Sequence, residues 1–389
     1  MATAPRTSLV LALGLGVGVA GLLPGQNTWL VGGDGADFPD LVTAVDDPQV
    51  VHGDRLEVRP GNYGPFTTSK ALRILADPAA MLFGIQVHGI PDGRRFAVHG
   101  GQLLSFMGSG GLVIHDNPGT VHFESILQIG DVPNSVWNCS HVTFSDMALT
   151  GEARIVDAAV TLSQVELQVR SFASGGIPGP ASLTAERSTV LVTASTLEGS
   201  RSQGLIGPLR SNPGPAIVLV DSRLVVDRDS GLDAGLGVLG MGLLDTPALV
   251  STNSTVRVDP ATTLSTRTGG PAVQSDRPLE VVPVPAVHAV GAGPGETFQA
   301  VLSAPATWPG VLVLGNPIPP IALGTPGVLA VPPDALVVAL GPVPATGLAF
   351  QATVPPGVDG SPQVVQGAVL DPTGNLWLGN PAVVILHTP

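Results

Sequence analysis

The sequence predicts an all-β protein: a parallel β-helix followed by a small C-terminal β-sandwich. Three observations predict it. The 389 residues include 50 Gly and 38 Pro, yet 44% are hydrophobic and only 12% are charged. Disordered chains combine low hydrophobicity with high charge, so these Gly and Pro punctuate short strands instead. Long surface helices are hard to build with so few Glu, Lys and Gln. The second observation is a degenerate repeat, an apolar strand, a polar turn and an alternating strand, at 136–144, 155–162, 183–192, 217–226 and 249–258. Val142, Val160, Val190, Leu224 and Val256 are its equivalent positions. Periods of about 20–35 residues with internal two-residue alternation signal stacked β coils. Third, beyond about Val284 the alternating strands recur every ten residues or so between Pro/Gly turns, the pattern of a small sandwich.

The elements follow in order. Arg6 and the apolar run Leu9 to Leu23, with small residues at Gly18 and Ala20, predict a secretory signal peptide and leader over 1–26. Cleavage is expected after Ala20 or nearer Gln26. The run falls short of the roughly 20 residues a membrane span needs, so no transmembrane span is expected after cleavage. Residues 27–283 form the β-helix. A turn-rich lead, Gly32 to Phe38, precedes a short helix over Phe38–Asp47 with Leu41, Val42 and Val45 on one side. Such a helix would cover the open end of the stack. From Gly64 to Pro283 the spacing predicts about 8–10 coils, with loops thrown out at Gly199–Pro215 and Ser230–Pro247. The Pro-rich stretch Pro278–Pro285 makes a semi-rigid linker. Residues 284–389 form the sandwich, with strands at Thr297–Ser303, Val311–Leu314, Leu336–Leu340, Leu348–Val354, Gln363–Leu370 and Ala382–Leu386.

Two resemblances enter on particular residues. Asp34-Gly35-Ala36-Asp37-Phe38 and Gly53-Asp54-Arg55-Leu56-Glu57-Val58-Arg59-Pro60-Gly61-Asn62-Tyr63 resemble the opening of secreted right-handed parallel β-helix proteins of the pectin-lyase-like superfamily. The resemblance implies the fold and the hand of the helix. It says little of activity, because that superfamily holds lyases, hydrolases, adhesins and structural spikes. The tail is similar to a sandwich domain that ends many secreted planctomycete-like proteins, through Gly324–Gly327, Leu348–Ala352, Gln366–Pro372 and Leu378–Ala382. That likeness implies a surface or envelope protein.

Charge narrows the partners. The net charge is −13 and no Lys/Arg cluster interrupts it, which argues against nucleic acids and anionic membranes. Cys139 is the sole cysteine, so no internal disulfide can form. It is expected to be a buried, inert thiol. With 4% aromatic residues, few rings are available to stack on sugars.

The best cluster of chemical groups is Asp221, Arg223, Asp227, Arg228 and Asp229. Asp227 and Asp229 would share one face if their strand continues that far, and could then hold Ca2+ or act as an acid/base pair. The alternative is a strand running into a solvated turn. Asp92-Gly93-Arg94-Arg95 with His88 and His99 forms a weaker set, expected to be a loop. His99, His122 and His141 lie about one coil apart and could stack. Gly32 to Asp37 overlaps a calcium-repeat pattern in one copy, with Pro39 at its apolar position. Gly235 to Gly240 matches a dinucleotide fingerprint outside any βαβ unit and is set aside. Asn138, Asp157, Glu186, Asp221 and Asn253 sit at equivalent turns, where side chains are expected to satisfy the backbone. No catalytic, cofactor or metal residue is assigned. The expected function is a non-catalytic secreted or cell-surface scaffold or adhesive surface, meeting polysaccharide or cell-envelope components. The alternatives are a polysaccharide lyase or glycoside hydrolase, and a polysaccharide-binding module.

Overall fold

A computed structural model describes residues 27–104, 111–169, 179–200, 213–235, 246–266, 270–292, 295–332, 334–354 and 361–386. The expected signal peptide and leader lie outside the described residues. So do the middles of both expected loops and most of the Gly235–Gly240 fingerprint.

The described chain is almost wholly β. Twenty-four strands pair in parallel, compatible with a parallel β-helix. The chain visits three stacks in rotation. The first holds Thr28–Val31, Arg55–Val58, Arg73–Ala76, Arg95–His99, then parts of the long strands Leu112–Glu124, Asn134–Thr150 and Ala153–Gln168. It continues through Thr189–Thr193, Arg223–Val226, Thr255–Val258 and Glu280–Val281. The second stack runs from Gly61–Tyr63 to Thr263–Ser265, and the third from Phe66–Thr68 to Val273–Ser275. Asn134–Thr150 and Ala153–Gln168 each cross all three stacks in one coil.

The repeat read from the sequence is the register of the first stack. Val142 pairs with Val160, Val160 with Val190, Val190 with Leu224 and Leu224 with Val256. All five are buried. Alternation does this: in Arg55–Val58 and Arg73–Ala76 every second residue points inward. Each such apolar chain contributes about 1.5–3 kcal/mol of burial. Phe96, Phe123 and Phe144 continue the core as neighbouring rings, with centroids 6.1 and 5.8 Å apart.

The corners are built by left-handed residues. Asp116, Asn138, Asp157, Arg187, Asp221 and Asn253 all have φ near +50° between the third and first stacks. Of the five predicted turn residues, Glu186 is displaced: Arg187 takes the corner. These side chains point out and pair along the stack, Asn138 donating to Asp116 at 2.7 Å and Arg187 gripping Asp157 through two bonds of 2.7 Å. Backbone groups are satisfied by the following residue instead. Ser188, Ser222 and Ser254 accept the N–H groups of Ala158, Ser188 and Ser222.

The first coil explains its own motif. Asp37 accepts from Leu30 N, and buried Asp54 accepts from Asn27 N, Trp29 Nε1 and Val51 N at 2.9–3.0 Å. The Tyr63 hydroxyl sits where a Cβ on Gly32 would lie, so this position, at φ +81°, requires glycine. The helix is Leu41–Asp46, capped by Asp40, whose side chain accepts Thr43 N. It buries Leu41, Ala44 and Val45, whereas Val42 is exposed. The expected three-residue stripe is corrected to that set, because Ala44 completes the i, i+3, i+4 face.

After Glu280–Val281 pairing becomes antiparallel. Ala286–Val290, Thr297–Ser303 and Leu348–Thr353 form one sheet. Leu336–Pro342, Pro309–Gly315, Ser361–Leu370, Leu376–Leu378 and Ala382–Leu386 form another. Val287, Phe298 and Leu302 share a core with Leu312, Val365 and Val384.

Candidate functional site

Outward-facing residues of the first stack line up in register files. One runs Arg55, Arg73, Ala97, His122, Thr143, Thr161, Leu191, Val225, Arg257 and Glu280. A second contains Glu57, Leu75, His99, Glu124, Ser145, Ser163 and Thr193, and Asp227 and Asp259 lie at its continuation. This face divides into a covered part and an open part.

The covered part runs from about His122 to Arg257, beneath the antiparallel sheets. Leu191 and Val225 pack against Val284 and Val328. Buried polar groups do the rest. Glu124 accepts the Ile385 N–H, Ser145 donates to Val383 O at 2.5 Å, and Asn380 Nδ2 donates to Val192 O and Val225 O at 2.8 and 3.0 Å. Arg257 donates to the carbonyls of Gly324 and Thr325 and pairs with Glu280 at 3.0 Å. Burial alone would raise the Glu124 carboxyl, but His122 at 3.4 Å and His99 at 3.9 Å bring it below its ordinary value. His141 is buried beside Thr161 and Thr143, and desolvation lowers its pKa to about 4.

The predicted cluster lies at this boundary and does not converge. Asp221 is an exposed corner residue held by Asn253. Arg223 faces outward, its pKa lowered by burial and then by Arg257. The strand ends at Val226, so Asp227 and Asp229 do not share a face. Asp227 is fully buried and accepts from Thr193 Oγ1, Ala194 N and Ser230 Oγ. Desolvation outweighs these donors and pushes its pKa up to about 7. Asp229 donates its backbone N–H to Asp227 Oδ1 and its side chain takes His288 Nε2 at 2.8 Å, which holds its carboxyl low and raises the imidazole. Arg228 donates its backbone N–H to Val284 O at 3.3 Å. The stretch is a turn, but Asp227 is a buried cap rather than a solvated group.

The other sets also separate. Asp92 caps Gly93 in a turn, while Arg95 reaches Asn316 Oδ1 at 3.3 Å. His88 belongs to the third stack and His99 to the first. The stacked rings are not His99, His122 and His141 but His88, His115 and Trp137, with centroids 5.3 and 4.6 Å apart. These three face outward on consecutive coils, 27 and then 22 residues apart, and the unequal loops hide that equivalence in the sequence. No group of three or more His, Cys, Asp or Glu among the described residues is placed to hold a metal. Asp37, in the calcium-like stretch, is occupied by Leu30 N. Cys139 is buried against Trp137 O and Ile114 O, and desolvation raises its pKa.

The open part of the face was not foreseen. A cavity of about 810 Å³ crosses the first coils, lined among others by Leu30, Arg55, Glu57, Arg59, Asp77 and His99. Arg55 pairs with Glu57 at 2.8 Å and stands in register beside Arg73, whose pKa is lowered by burial and then by Arg55. Glu57 and Asp77 line the cavity beside Arg55 and Arg59, so it carries both signs of charge. Register files of one residue per coil create it, and residues 55, 73 and 99 are too unevenly spaced to disclose it. No helix among the described residues is long and apolar enough to cross a membrane. No protein-family model, curated protein or solved structure matches the chain, so both resemblances rest on their motif residues alone.

Proposed function

We propose that the chain is a secreted or cell-surface protein, a right-handed parallel β-helix closed by a C-terminal β-sandwich, that serves as a non-catalytic scaffold or adhesive surface. One observation carries this reading. From about His122 to Arg257 the polar face of the first stack lies beneath the antiparallel sheets, where Glu124 and Arg257 bind their backbone and Asp227 is enclosed by donors of the stack itself. Catalysis needs acidic and basic groups converging in a walled groove that substrate can enter; Asp227 and Glu124 are instead buried caps. The test is an assay of the exported chain on acidic and neutral polysaccharides, with and without calcium. No release of unsaturated or reducing ends is expected. Turnover that disappears in Asp227→Asn or Asp229→Asn would replace this reading with the enzyme.

A second reading is favoured by the open cavity. Arg55, Arg59 and His99 of its lining suit an anionic polysaccharide, and the coil rise of about 4.8 Å offers one set of side chains per step along an extended glycan. Binding of polygalacturonate that weakens at least tenfold in Arg55→Ala, without turnover, would establish this module. Binding unchanged in that variant would remove it. Export is tested by the N-terminus of the protein recovered from the medium or envelope, which should lie between Gly21 and Asn27.

A further inference from the structure

The antiparallel sheets meet the first stack along a seam whose two ends are built from different chemistry. At one end the chain itself crosses from stack to sheet, between Glu280–Val281 and Ala286–Val290. Leu191 and Val225 pack there against Val284 and Val328, Arg257 donates to the carbonyls of Gly324 and Thr325, and Asp229 takes His288. Apolar packing and arginine bonds to carbonyls do not titrate in mild acid. Asp229 raises the His288 imidazole and is itself held low, so this pair also persists there.

The opposite end is set by Glu124. Glu124, Ser145, Ser163, Thr193 and Asp227 follow one another on successive coils, which puts Glu124 and Asp227 roughly 19 Å apart along the stack. Glu124 accepts the Ile385 N–H and Ser145 donates to Val383 O. His141 stands in the neighbouring file, in register with Thr120 and Arg95, and Arg95 reaches Asn316 and Pro317. It points away from the coil core, on the side that the docked sheets cover, and is only 1% exposed. His122 and His99 face Glu124; Thr161, Thr143 and, farther off, His122 face His141. The covering segments Ala382–Leu386, Ala286–Val290 and 316–317 carry one ionisable side chain, His288, which Asp229 holds at the other end.

Both groups favour docking only while they are deprotonated. Desolvation lowers the His141 pKa to about 4, so the docked state takes the neutral ring. Burial opposes charge on Glu124, but His122 and His99 outweigh it and hold the carboxyl below its ordinary value. Docking therefore weakens at His141 as pH falls from 6.5 towards 4, and at Glu124 once pH falls below its ordinary 4.5. His122 Nδ1 and Ser163 Oγ are also buried here with no hydrogen-bond partner among the described residues, a penalty that hydration relieves on opening.

We propose that the antiparallel sheets form an acid-released flap: protonation of His141 and Glu124 frees Ala382–Leu386 from the first stack, while the sheets stay attached through Val284, Arg257 and the Asp229–His288 pair. His99 lines the open cavity and stands 3.9 Å from Glu124. The flap thus opens onto that cavity and lengthens its polar face by Thr143, Ser145, Thr161 and Ser163.

Hydrogen exchange of the full chain, expressed as protection factors at pH 7.5 and pH 4.5, tests this. Protection along 382–386 should fall on the order of a hundredfold in acid and return at pH 7.5, with 223–226 and 73–76 unchanged. His141→Gln keeps a polar partner for the two threonines but does not titrate, so its acid loss should be at least about tenfold smaller. Full protection of 382–386 at pH 4.5, an equal loss along 223–226, or an undiminished acid loss in His141→Gln would each overturn the proposal.

Discussion

Asp227 concentrates the chemistry of a single buried carboxyl. Thr193, Ala194 and Ser230 donate to it, which favours the charged form, yet full burial outweighs them and its folded pKa is about 7. An acid whose pKa is raised on folding stabilises the fold fully below its unfolded value, near 3.8, and loses that contribution as pH rises through 7. The expected loss between pH 4 and pH 8 is on the order of 2–4 kcal/mol. Urea unfolding of the wild type should therefore weaken over that range, and Asp227→Asn should weaken less. Identical slopes for the two proteins would refute the assignment. Asp54 works differently: its three donors include two backbone N–H groups and the Trp29 indole. Asp54→Ala strands all three and should cost about 3 kcal/mol by urea unfolding, with Asp54→Asn recovering part of it.

At the scale of elements, the coils are held by what happens between strands. Strand pairing supplies register, but six corners between the third and first stacks take a left-handed residue, and the backbone N–H groups beside them need acceptors. The serine file answers this need. Ser222 Oγ accepts from Ser188 N at 3.1 Å and donates to Val220 O at 2.7 Å. Ser222→Ala should leave a buried N–H unpaired and cost about 1–3 kcal/mol, visible as a lower urea midpoint at unchanged slope. Asn253→Ala on the exposed corner should cost under about 1 kcal/mol, because solvent replaces its bonds. If the two substitutions cost the same, the backbone-satisfying role of the serines is wrong. The Asp, Asn and Ser signals at these turns were legible in the sequence. Which of two adjacent residues takes the corner was not: Glu186 pairs with Val156 and Val220 as the last residue of its strand, so Arg187 lies level with the corner residues Asp157 and Asp221.

The whole molecule is decided by the docking of the antiparallel sheets on the first stack. Asn380 bridges two strands of that stack, and its amide is nearly fully buried. Asn380→Ala should loosen the docking, seen as faster hydrogen exchange along 189–193 and 223–226 with little change in 55–76. Uniform acceleration over both regions would mean global destabilisation instead. The Asp229–His288 pair adds a pH window. Asp229 is held low, so its contribution is lost as pH falls below the ordinary carboxylate range. His288 is raised, so its contribution is present below pH 6.5 and lost as pH climbs through the raised value. His288→Ala should therefore loosen the docking most at mildly acidic pH and least in alkali, checked by the same exchange measurement at pH 6 and pH 9.

What the sequence determined by itself was periodic. Valines and leucines recurring once per coil fixed the strands and their register from Val142 to Val256, because a two-residue alternation can bury only one side of each strand. The capping helix and the strands after Val284 follow from the same local rules. What only the tertiary structure decided is which face of the stack is covered. Asp227 and Asp229 are two residues apart in a stretch that suits either a strand or a turn, and beyond the end of the strand at Val226 one is buried by the stack's own donors and the other pairs with His288. Glu124 and Ile385, Asn380 and Val192, and Arg55, Arg73 and His99 are separated by loops of unequal length. Their meeting depends on stacking and docking, to which no local pattern in the chain is tied.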